Sequence, residues 1–161
     1  MQSKIRNMRT EDVPQIQEVA KISWNATYEG IIPYEVQERF LSSAYSDEMM
    51  VRRLDHSLML VGEQDGILVG FANFSPVNDV GASELAAIYL HPEYQGSGIG
   101  TALLQEGIVQ LKNVKKIYIT VEKDNLIGKS FYDAKGFKMI EQFEEDFDGH
   151  MLQSVRMVLT L

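Results

Sequence analysis

The sequence predicts an α/β fold in which helices flank a mixed β-sheet. Segments with strand and helix character alternate through the middle of the chain, which is typical of a sheet with helices packed against it. Residues 64–66 (Gln-Asp-Gly) separate two apolar runs and predict a hairpin. A second turn, at Asp148 and Gly149, joins two later runs and predicts an antiparallel pair near the end of the chain.

Hydrophobic periodicity and turn residues place each element along the chain. Thr10 or Asp12 is expected to cap the first helix, with Pro14 in its first turn, and Asp47 to cap the third. Gly136 is expected to end the last helix. The expected elements, with approximate bounds, are strand 5–7, helices 12–27, 34–43 and 47–54, strands 58–63, 67–74 and 84–90, helix 98–111, strand 116–121, helix 125–135, and strands 137–147 and 151–160.

Composition limits the classes of function. The 161 residues are expected to form one domain, 1–161. Cysteine is absent, which excludes disulfides, thiolate metal sites and a cysteine nucleophile. The histidines His56, His91 and His150 lack ligand spacing, so no metal is expected. A net charge of −8 argues against nucleic-acid binding. Neither a membrane-spanning run nor a signal segment is visible, so a cytoplasmic protein without membrane association is expected.

A glycine-rich loop is the sharpest feature of the sequence. Gly96, Gly98 and Gly100 follow an apolar strand and Pro92, and they precede a helix. Glycines let the backbone approach a bulky anion, and the start of a helix offers unpaired N–H groups and a positive dipole. This arrangement predicts a pyrophosphate site that needs no lysine.

The same residues suggest three other interpretations of the loop. A Walker loop requires a lysine before Thr101, and none is present. A dinucleotide fingerprint requires a third glycine where Thr101 stands, although Glu122 lies near the place of a ribose-binding acid. A simple turn without a ligand is the third alternative, and the loop taken alone does not exclude it.

A second motif lies downstream, where Asn125 precedes a helix that carries Phe131 and Tyr132 and ends at Gly136-Phe137. Taken alone, it is an N-capped amphipathic helix with core aromatic residues. Together, the two motifs resemble the GNAT superfamily of N-acetyltransferases. Their signature is a glutamine or arginine, two residues, then Gly-x-[Gly/Ala] opening a helix, followed later by an asparagine, a tyrosine and Gly-Phe.

The resemblance implies a mixed, mostly antiparallel sheet whose fourth and fifth strands splay apart to admit acetyl-CoA. It implies that Asn125 holds the CoA arm. The strand residues Ile88, Tyr89 and Leu90 are expected to bind the pantetheine. The expected pyrophosphate site comprises Gln95, Gly96, Ser97, Gly98, Ile99, Gly100 and Thr101.

The resemblance also implies that Tyr132 is the acid in transfer by direct attack within a ternary complex, without an acyl-enzyme. A phenol with a pKa of about 10 stays protonated at neutral pH and can protonate a thiolate, whose conjugate acid has a pKa of about 8.5. Related enzymes often carry a glutamate at the position of Glu84, which makes it the expected base. On a strand, Glu84 shares one face with Ala86, Ile88 and Leu90, the residues that are expected to present the thioester. Glu122 is the rival base.

The first helix is expected to line the acceptor pocket by the same resemblance. Trp24 and Tyr28 lie one turn apart and could form an aromatic wall for a cation, or could pack in the core. Five acidic residues between 141 and 148 could attract a polyamine or form a solvated hairpin. The expected function is acetylation of a primary amine on a small molecule: a polyamine, an amino sugar or an amino acid. The alternatives are a protein amino-terminal or lysine acetyltransferase and an inactive acyl-CoA-binding sensor, and a homodimer is possible.

Overall fold

The computed structural model describes residues 2–161, which form an α/β fold with a mixed, mostly antiparallel sheet. The strands are β1 (Ser3–Asn7), β2 (Leu58–Gln64), β3 (Ile67–Phe74), β4 (Ala82–Leu90), β5 (Lys116–Glu122), β6 (Lys138–Phe147) and β7 (His150–Thr160). The α-helices are α1 (Val13–Tyr28), α2 (Tyr34–Ala44), α3 (Asp47–His56), α4 (Ile99–Gln110) and α5 (Leu126–Ala134). Short 3₁₀ helices span Thr10–Asp12 and Pro92–Tyr94. These elements confirm the predicted order.

Side-chain caps fix the ends of two helices. The Asn125 side chain accepts a hydrogen bond from the Gly128 amide and starts α5. Ser46 caps α3 by accepting from the Met49 amide, so the prediction of Asp47 as the cap was wrong by one residue. Asp12 makes no capping bond to α1; its carboxylate instead pairs with Arg6 of β1.

The strands lie in the order β1-β2-β3-β4-β5-β7-β6. Every neighbouring pair is antiparallel except β4 and β5, which are parallel. That parallel pairing covers only residues 82–84 of β4 and 116–118 of β5. Beyond it, β4 stays paired with β3 and β5 stays paired with β7. The two central strands therefore separate, as the resemblance implied.

A β-bulge in β4 changes which side chains share a face. Asn73 of β3 pairs with Ala87, but the next residue, Phe74, pairs with Leu85, which leaves Ala86 as the extra residue. Leu85 and Ile88 consequently pack in the same core cluster although they are three residues apart. Strict alternation along β4 was therefore wrong, and Glu84 lies on the face opposite to Ile88.

Two hydrophobic clusters lie on the two faces of the sheet. One joins the sheet to α1, α2 and α3, and includes Trp24, Met50 and Phe71. The other joins it to α4 and the end of α5, and includes Leu103 and Phe137. The gap between β4 and β5 is therefore flanked by α1 on one face and by α4 and α5 on the other.

Gly107 allows α4 to pack closely on the sheet, so a larger residue at this position should lower the stability of the protein. A Cβ at this position would overlap the buried Phe74 ring. Gly107→Ala should therefore destabilise the protein by roughly 1–3 kcal/mol, although alanine favours a helix by about 1 kcal/mol over glycine. Urea unfolding measures the change as a lower midpoint with an unchanged slope.

Val109→Ala is the matched control, since Val109 lies on the same helix and is 75% exposed. Its free energy of unfolding should change by no more than about 0.5 kcal/mol. If Gly107→Ala were as stable as the wild type or more so, the close packing of α4 on Phe74 would be refuted.

Candidate active site

A cavity that opens to solvent lies where β4 and β5 separate; its free space, counted together with the solvent at its mouth, is about 890 Å³. Residues of α1, β4, the glycine loop, β5 and α5 all reach it. The lining residues are Ser23, Thr27, Tyr28, Leu85, Ala86, Ala87, Ile88, Tyr89, Leu90, Gln95, Gly96, Gly100, Thr120, Val121, Asn125, Ile127, Gly128, Phe131 and Tyr132. The separation of the strands thus brings both sequence motifs to a single site.

The glycine loop presents backbone at one end of this cavity. Gly96 and Gly98 have φ angles of +78° and +89°, a region that side chains disfavour. The first hydrogen bond of α4 is donated by the Ala102 amide to the Gly98 carbonyl. The amides just before Ala102 therefore lack a partner within the helix, which leaves N–H donors of the kind that suit an anion.

The predicted loop residues differ in how they face the cavity. Gln95, Gly96 and Gly100 line it. The Ile99 side chain is buried in the core, so only its backbone can contribute to a ligand site. Ser97, Gly98, Ile99 and Thr101 lie in the same loop and helix start but are not part of the cavity wall. The Ser97 hydroxyl donates to the Tyr94 carbonyl at 2.5 Å, which closes the loop on itself.

Gly100 places the start of α4 against α5. A Cβ on Gly100 would lie 3.2 Å from a ring atom of Phe131. The close contact brings the glycine loop next to the helix that carries Tyr132. The Tyr132 ring packs on Phe131 and Phe137, with centroid distances of 5.5 and 5.4 Å. Packing on both sides fixes the direction in which the phenol points.

Three tyrosines line the cavity and are held neutral by burial. Burial raises the pKa of Tyr132, and the nearby Tyr89 raises it further. Burial also raises the pKa of Tyr28 to about 12, and the side chains of Tyr89, Tyr132, Glu122 and Asn125 act on the same hydroxyl. The pKa of Tyr89 is raised well above its ordinary value, chiefly by burial. These phenols can therefore donate hydrogen bonds or protons throughout the neutral range.

Asn125 caps α5 and also lines the cavity. Its Oδ1 accepts from the Gly128 amide at 3.0 Å. A Cβ on Gly128 would approach the Asn125 side chain to 2.7 Å, so the glycine is needed to seat the cap. The cap uses only the oxygen, and the Asn125 side chain also hydrogen-bonds the Tyr28 hydroxyl inside the cavity.

Glu84 does not lie where the sequence interpretation placed it. It is not among the cavity-lining residues. Its two carboxylate oxygens each accept a hydrogen bond from Arg156 of β7 at 2.7 Å. A carboxylate bound on both oxygens by a guanidinium holds its charge firmly and is a poor proton acceptor. The ion pair with Arg156 therefore argues against Glu84 as the base, a role that stays a prediction.

Glu122, the rival carboxylate, is the more buried of the two. It is 7% exposed at the end of β5. One oxygen accepts from the Asp124 amide at 2.6 Å. Burial is the main reason that the pKa of Glu122 is raised, and the charge of Asp124 adds to the effect.

The two aromatic residues predicted on α1 have different positions. Tyr28 lines the cavity, whereas Trp24 is 5% exposed and does not. The Trp24 ring stacks on Phe40 and Phe147 at centroid distances of 4.4 and 5.8 Å. Trp24 thus packs in the core, which was one of the two alternatives for it, and it does not line the cavity. Ser23 and Thr27, which line the cavity, were missed because small polar residues on a helix carry no distinctive signal.

The acidic residues near the β6–β7 turn are partly engaged within the protein. Asp148 pairs with Arg39 at 2.6 Å on the surface. Glu145 accepts from the Ser154 hydroxyl at 2.8 Å. Among residues 2–161, no group of three or more histidine, aspartate or glutamate side chains is arranged to hold a metal ion. The cavity thus offers backbone amides, phenols, small hydroxyl side chains and the Asn125 amide.

An α/β protein with an anion-binding glycine loop beside a split in its sheet has the architecture of a CoA-dependent transferase. The model of the Acetyltransferase (GNAT) family matches residues 16–137, and the chain belongs to this family of N-acetyltransferases. Among residues 2–161, none of the helices combines the length and apolar character needed to cross a membrane.

Relatives of the chain include two spermidine N(1)-acetyltransferases. The one from Thermoplasma acidophilum is 34% identical over 157 residues, which cover 92% of this chain and 93% of the relative. The one from Escherichia coli K12 is 25% identical and covers 97% of this chain and 84% of that protein. A crystal structure of PaiA N-acetyltransferase from Thermoplasma acidophilum in complex with coenzyme A matches with a TM-score of 0.87 and 31% identity, over the full length of both chains.

Proposed function

We propose that this enzyme transfers acetyl from acetyl-CoA to a primary amine of a small alkyl polyamine, by direct attack in a ternary complex. The observation that carries the proposal is the cavity between the separated strands. It has the glycine loop at one end and the Tyr132 phenol beside it. This arrangement fits a long thioester whose anionic end is held by backbone and whose sulfur lies near an acid.

Acetyl-CoA fits the polar groups that the glycine loop, β4 and Asn125 present to the cavity. The amides of residues 96–101 and the positive end of α4 suit a pyrophosphate. The inner edge of β4 from Ala86 to Leu90 is not paired with β5, so its backbone is available to the amides of a pantetheine arm. The Nδ2 group of Asn125 is a further donor toward that arm. A CoA complex of a relative with a TM-score of 0.87 supports this placement.

A polyamine fits the opposite side of the cavity. Ser23, Thr27 and Tyr28 of α1 form its polar wall there. The chain carries a net charge of −8, which favours the approach of a cationic acceptor. Two relatives named as spermidine acetyltransferases, one of them 34% identical, support an aliphatic polyamine over an amino sugar or an amino acid.

Tyr132 serves as the acid in this proposal. Attack by the amine expels the CoA thiolate, which must gain a proton as the C–S bond breaks. The raised pKa of Tyr132 keeps its hydroxyl protonated, and its packing against Phe131 and Phe137 fixes the position of the phenol. The chain has no cysteine that could form an acyl-enzyme, which agrees with direct transfer.

Gly98→Asp tests the loop as the pyrophosphate site. The substitution places a carboxylate at the start of α4. Nothing lies within 4 Å of the added Cβ, but the φ of +89° strains any side chain at this position, as it does in the control below. A like charge at 4 Å costs about 4 kcal/mol near a protein surface, so CoA affinity should fall roughly 100-fold or more. Calorimetric titration with CoA measures the loss.

Gly66→Asp is the matched control for this substitution. Gly66 also has a positive φ, +84°, and open space around its Cβ, but it lies in the β2–β3 hairpin away from the cavity. Both variants carry the same added charge. Equal CoA affinity in the two variants would refute the loop assignment.

Spermidine turnover tests the proposed reaction and the role of Tyr132 together. The wild type should release free thiol from acetyl-CoA only when the amine is present and should form N-acetylspermidine. Tyr132→Phe removes the hydroxyl and keeps the ring, so turnover should fall by roughly 10²–10⁴ with little change in the melting temperature. Wild-type protein that binds CoA but acetylates no amine would refute the function, whereas a Phe variant within a few-fold of wild type would refute only the acid.

A further inference from the structure

Thr120 lies at the narrow end of the gap between β4 and β5. The last pair that joins the two strands is Glu84 with Tyr118, so Thr120 is the next residue of β5 on the same face as Tyr118. Ile119 and Val121 pack in the cluster on the α4 side, which directs the Thr120 side chain toward the α1 side. This side chain is part of the cavity wall.

A thioester bound in the gap would bring its reacting end to Thr120. The glycine loop follows the far end of β4, so a pyrophosphate held by that loop lies at the wide end of the gap. From Leu90 back to Ala86 the strand spans about 13 Å, and an arm extended along this edge runs toward the point where the strands meet. The small side chains of Ala86 and Ala87 line the cavity there and leave space for an acyl group.

An ion pair holds the Thr120 hydroxyl from behind. Arg156 of β7 pairs with Thr120 in the sheet, and its Nη1 donates to Thr120 Oγ1 at 3.1 Å. Nη1 and Nη2 also donate to the two oxygens of Glu84, each at 2.7 Å. The guanidinium lies over the Tyr118 ring, with Cζ 5.0 Å from the ring centroid. Contacts along its edge and on its face leave the guanidinium little freedom, so a fixed cation holds Thr120.

The bond from Arg156 leaves the proton of Thr120 for a ligand. A hydroxyl donates one proton and accepts through its oxygen. The oxygen of Thr120 already accepts from a charged donor, which polarises the O–H bond and makes it a stronger donor. Within residues 2–161, this is the one hydrogen bond that the hydroxyl makes. Since the side chain faces the cavity, its proton is available to an oxygen atom of a bound molecule.

We propose that the Thr120 hydroxyl donates a hydrogen bond to the carbonyl oxygen of the bound thioester, and that Arg156, held by Glu84, positions this hydroxyl. The inference rests on the proposed acetyl transfer. As the amine nitrogen bonds to the thioester carbon, the π electrons of the carbonyl move onto oxygen, and a donor aimed at that oxygen stabilises the charge. Thr120 keeps its proton throughout. When the carbonyl re-forms, the C–S bond breaks and the thiolate takes its proton from Tyr132.

The infrared carbonyl band of bound acetyl-CoA tests the hydrogen bond without an acceptor amine. Acetyl-CoA labelled with carbon-13 at the acetyl carbonyl is bound to the wild type, Thr120→Val and Thr120→Ser. A hydrogen bond weakens the C=O bond, so the band should lie at lower frequency in the wild type and the serine variant than in the valine variant. Thr160→Val makes the same change at an exposed position of β7 outside the cavity wall and should keep the wild-type band. Equal bands in the wild type and Thr120→Val would overturn the proposal.

Turnover with spermidine gives a second readout. Thr120→Val should lower kcat by roughly 10²–10³, because the donor acts on charge that develops only in the transition state. The KM for the amine, the CoA affinity and the melting temperature should change little. Thr120→Ser keeps the hydroxyl and should stay within a few-fold of the wild type. A valine variant with a raised KM and an unchanged kcat would assign the hydroxyl to the acceptor and overturn the proposal. Wild type that acetylates no amine would refute the proposed function, while the infrared band still decides the hydrogen bond.

Glu84→Gln and Arg156→Lys test the positioning. Glutamine offers one oxygen instead of two, and lysine lacks the planar fork that contacts Glu84 and Thr120 together. Each substitution should lower kcat by a smaller factor than Thr120→Val, and neither should lower it further in the Thr120→Val background. The slowing should be the same at all pH values, and the same for spermidine as for trifluoroethylamine, an amine of low pKa. Recovery of Glu84→Gln at high pH, or effects that add to that of Thr120→Val, would show that Glu84 acts separately and would overturn the positioning role.

Discussion

The separation of β4 from β5 is the constraint on which the rest of the structure depends. The two strands pair over three residues, 82–84 with 116–118, and each then keeps only its outer neighbour. Unpaired backbone groups inside a protein need a partner, and a ligand that carries amides can supply one. The sheet therefore has an open strand edge at its centre. The helices that pack on its two faces stabilise it around that opening.

Close packing around that opening determines where the chemical groups lie. Gly100 allows α4 to contact Phe131 of α5, and Asn125 with Gly128 fixes the start of α5. These contacts bring the glycine loop close to the helix that carries Tyr132. Burial then keeps the phenols of Tyr28 and Tyr132 neutral. The same packing that stabilises the fold thus gives the site its acid–base character.

The sequence predicts the features that depend on local signals. Helix spacing, the turns at residues 64–66 and 148–149, and the helix start after Gly98 were all found from neighbouring residues. Asn125 was identified with its motif because the N-cap is a local interaction. The element order and the splayed sheet followed from these patterns and from the family resemblance that the two motifs carry.

Features that depend on distant residues were missed. Arg156 lies 72 residues after Glu84, so the ion pair that occupies this carboxylate has no sequence signature. The bulge at Ala86 depends on the pairing of β4 with β3, and it reverses the face that strict alternation assigns to Glu84. The sequence left open whether Trp24 lies in the acceptor site or in the core, because its stacking partners, Phe40 and Phe147, come from the distant elements α2 and β6.

Hydrogen exchange in the presence of CoA tests most directly whether the open strand edge is the ligand site. Peptide-resolved exchange should slow in residues 86–90 of β4 and in the glycine loop, 95–101, when CoA is added. The β2–β3 hairpin around Gly66, which lies away from the cavity, should exchange at the same rate with and without CoA. Slower exchange elsewhere with no change in β4 and the loop would contradict the account, because CoA would then bind outside the gap between β4 and β5.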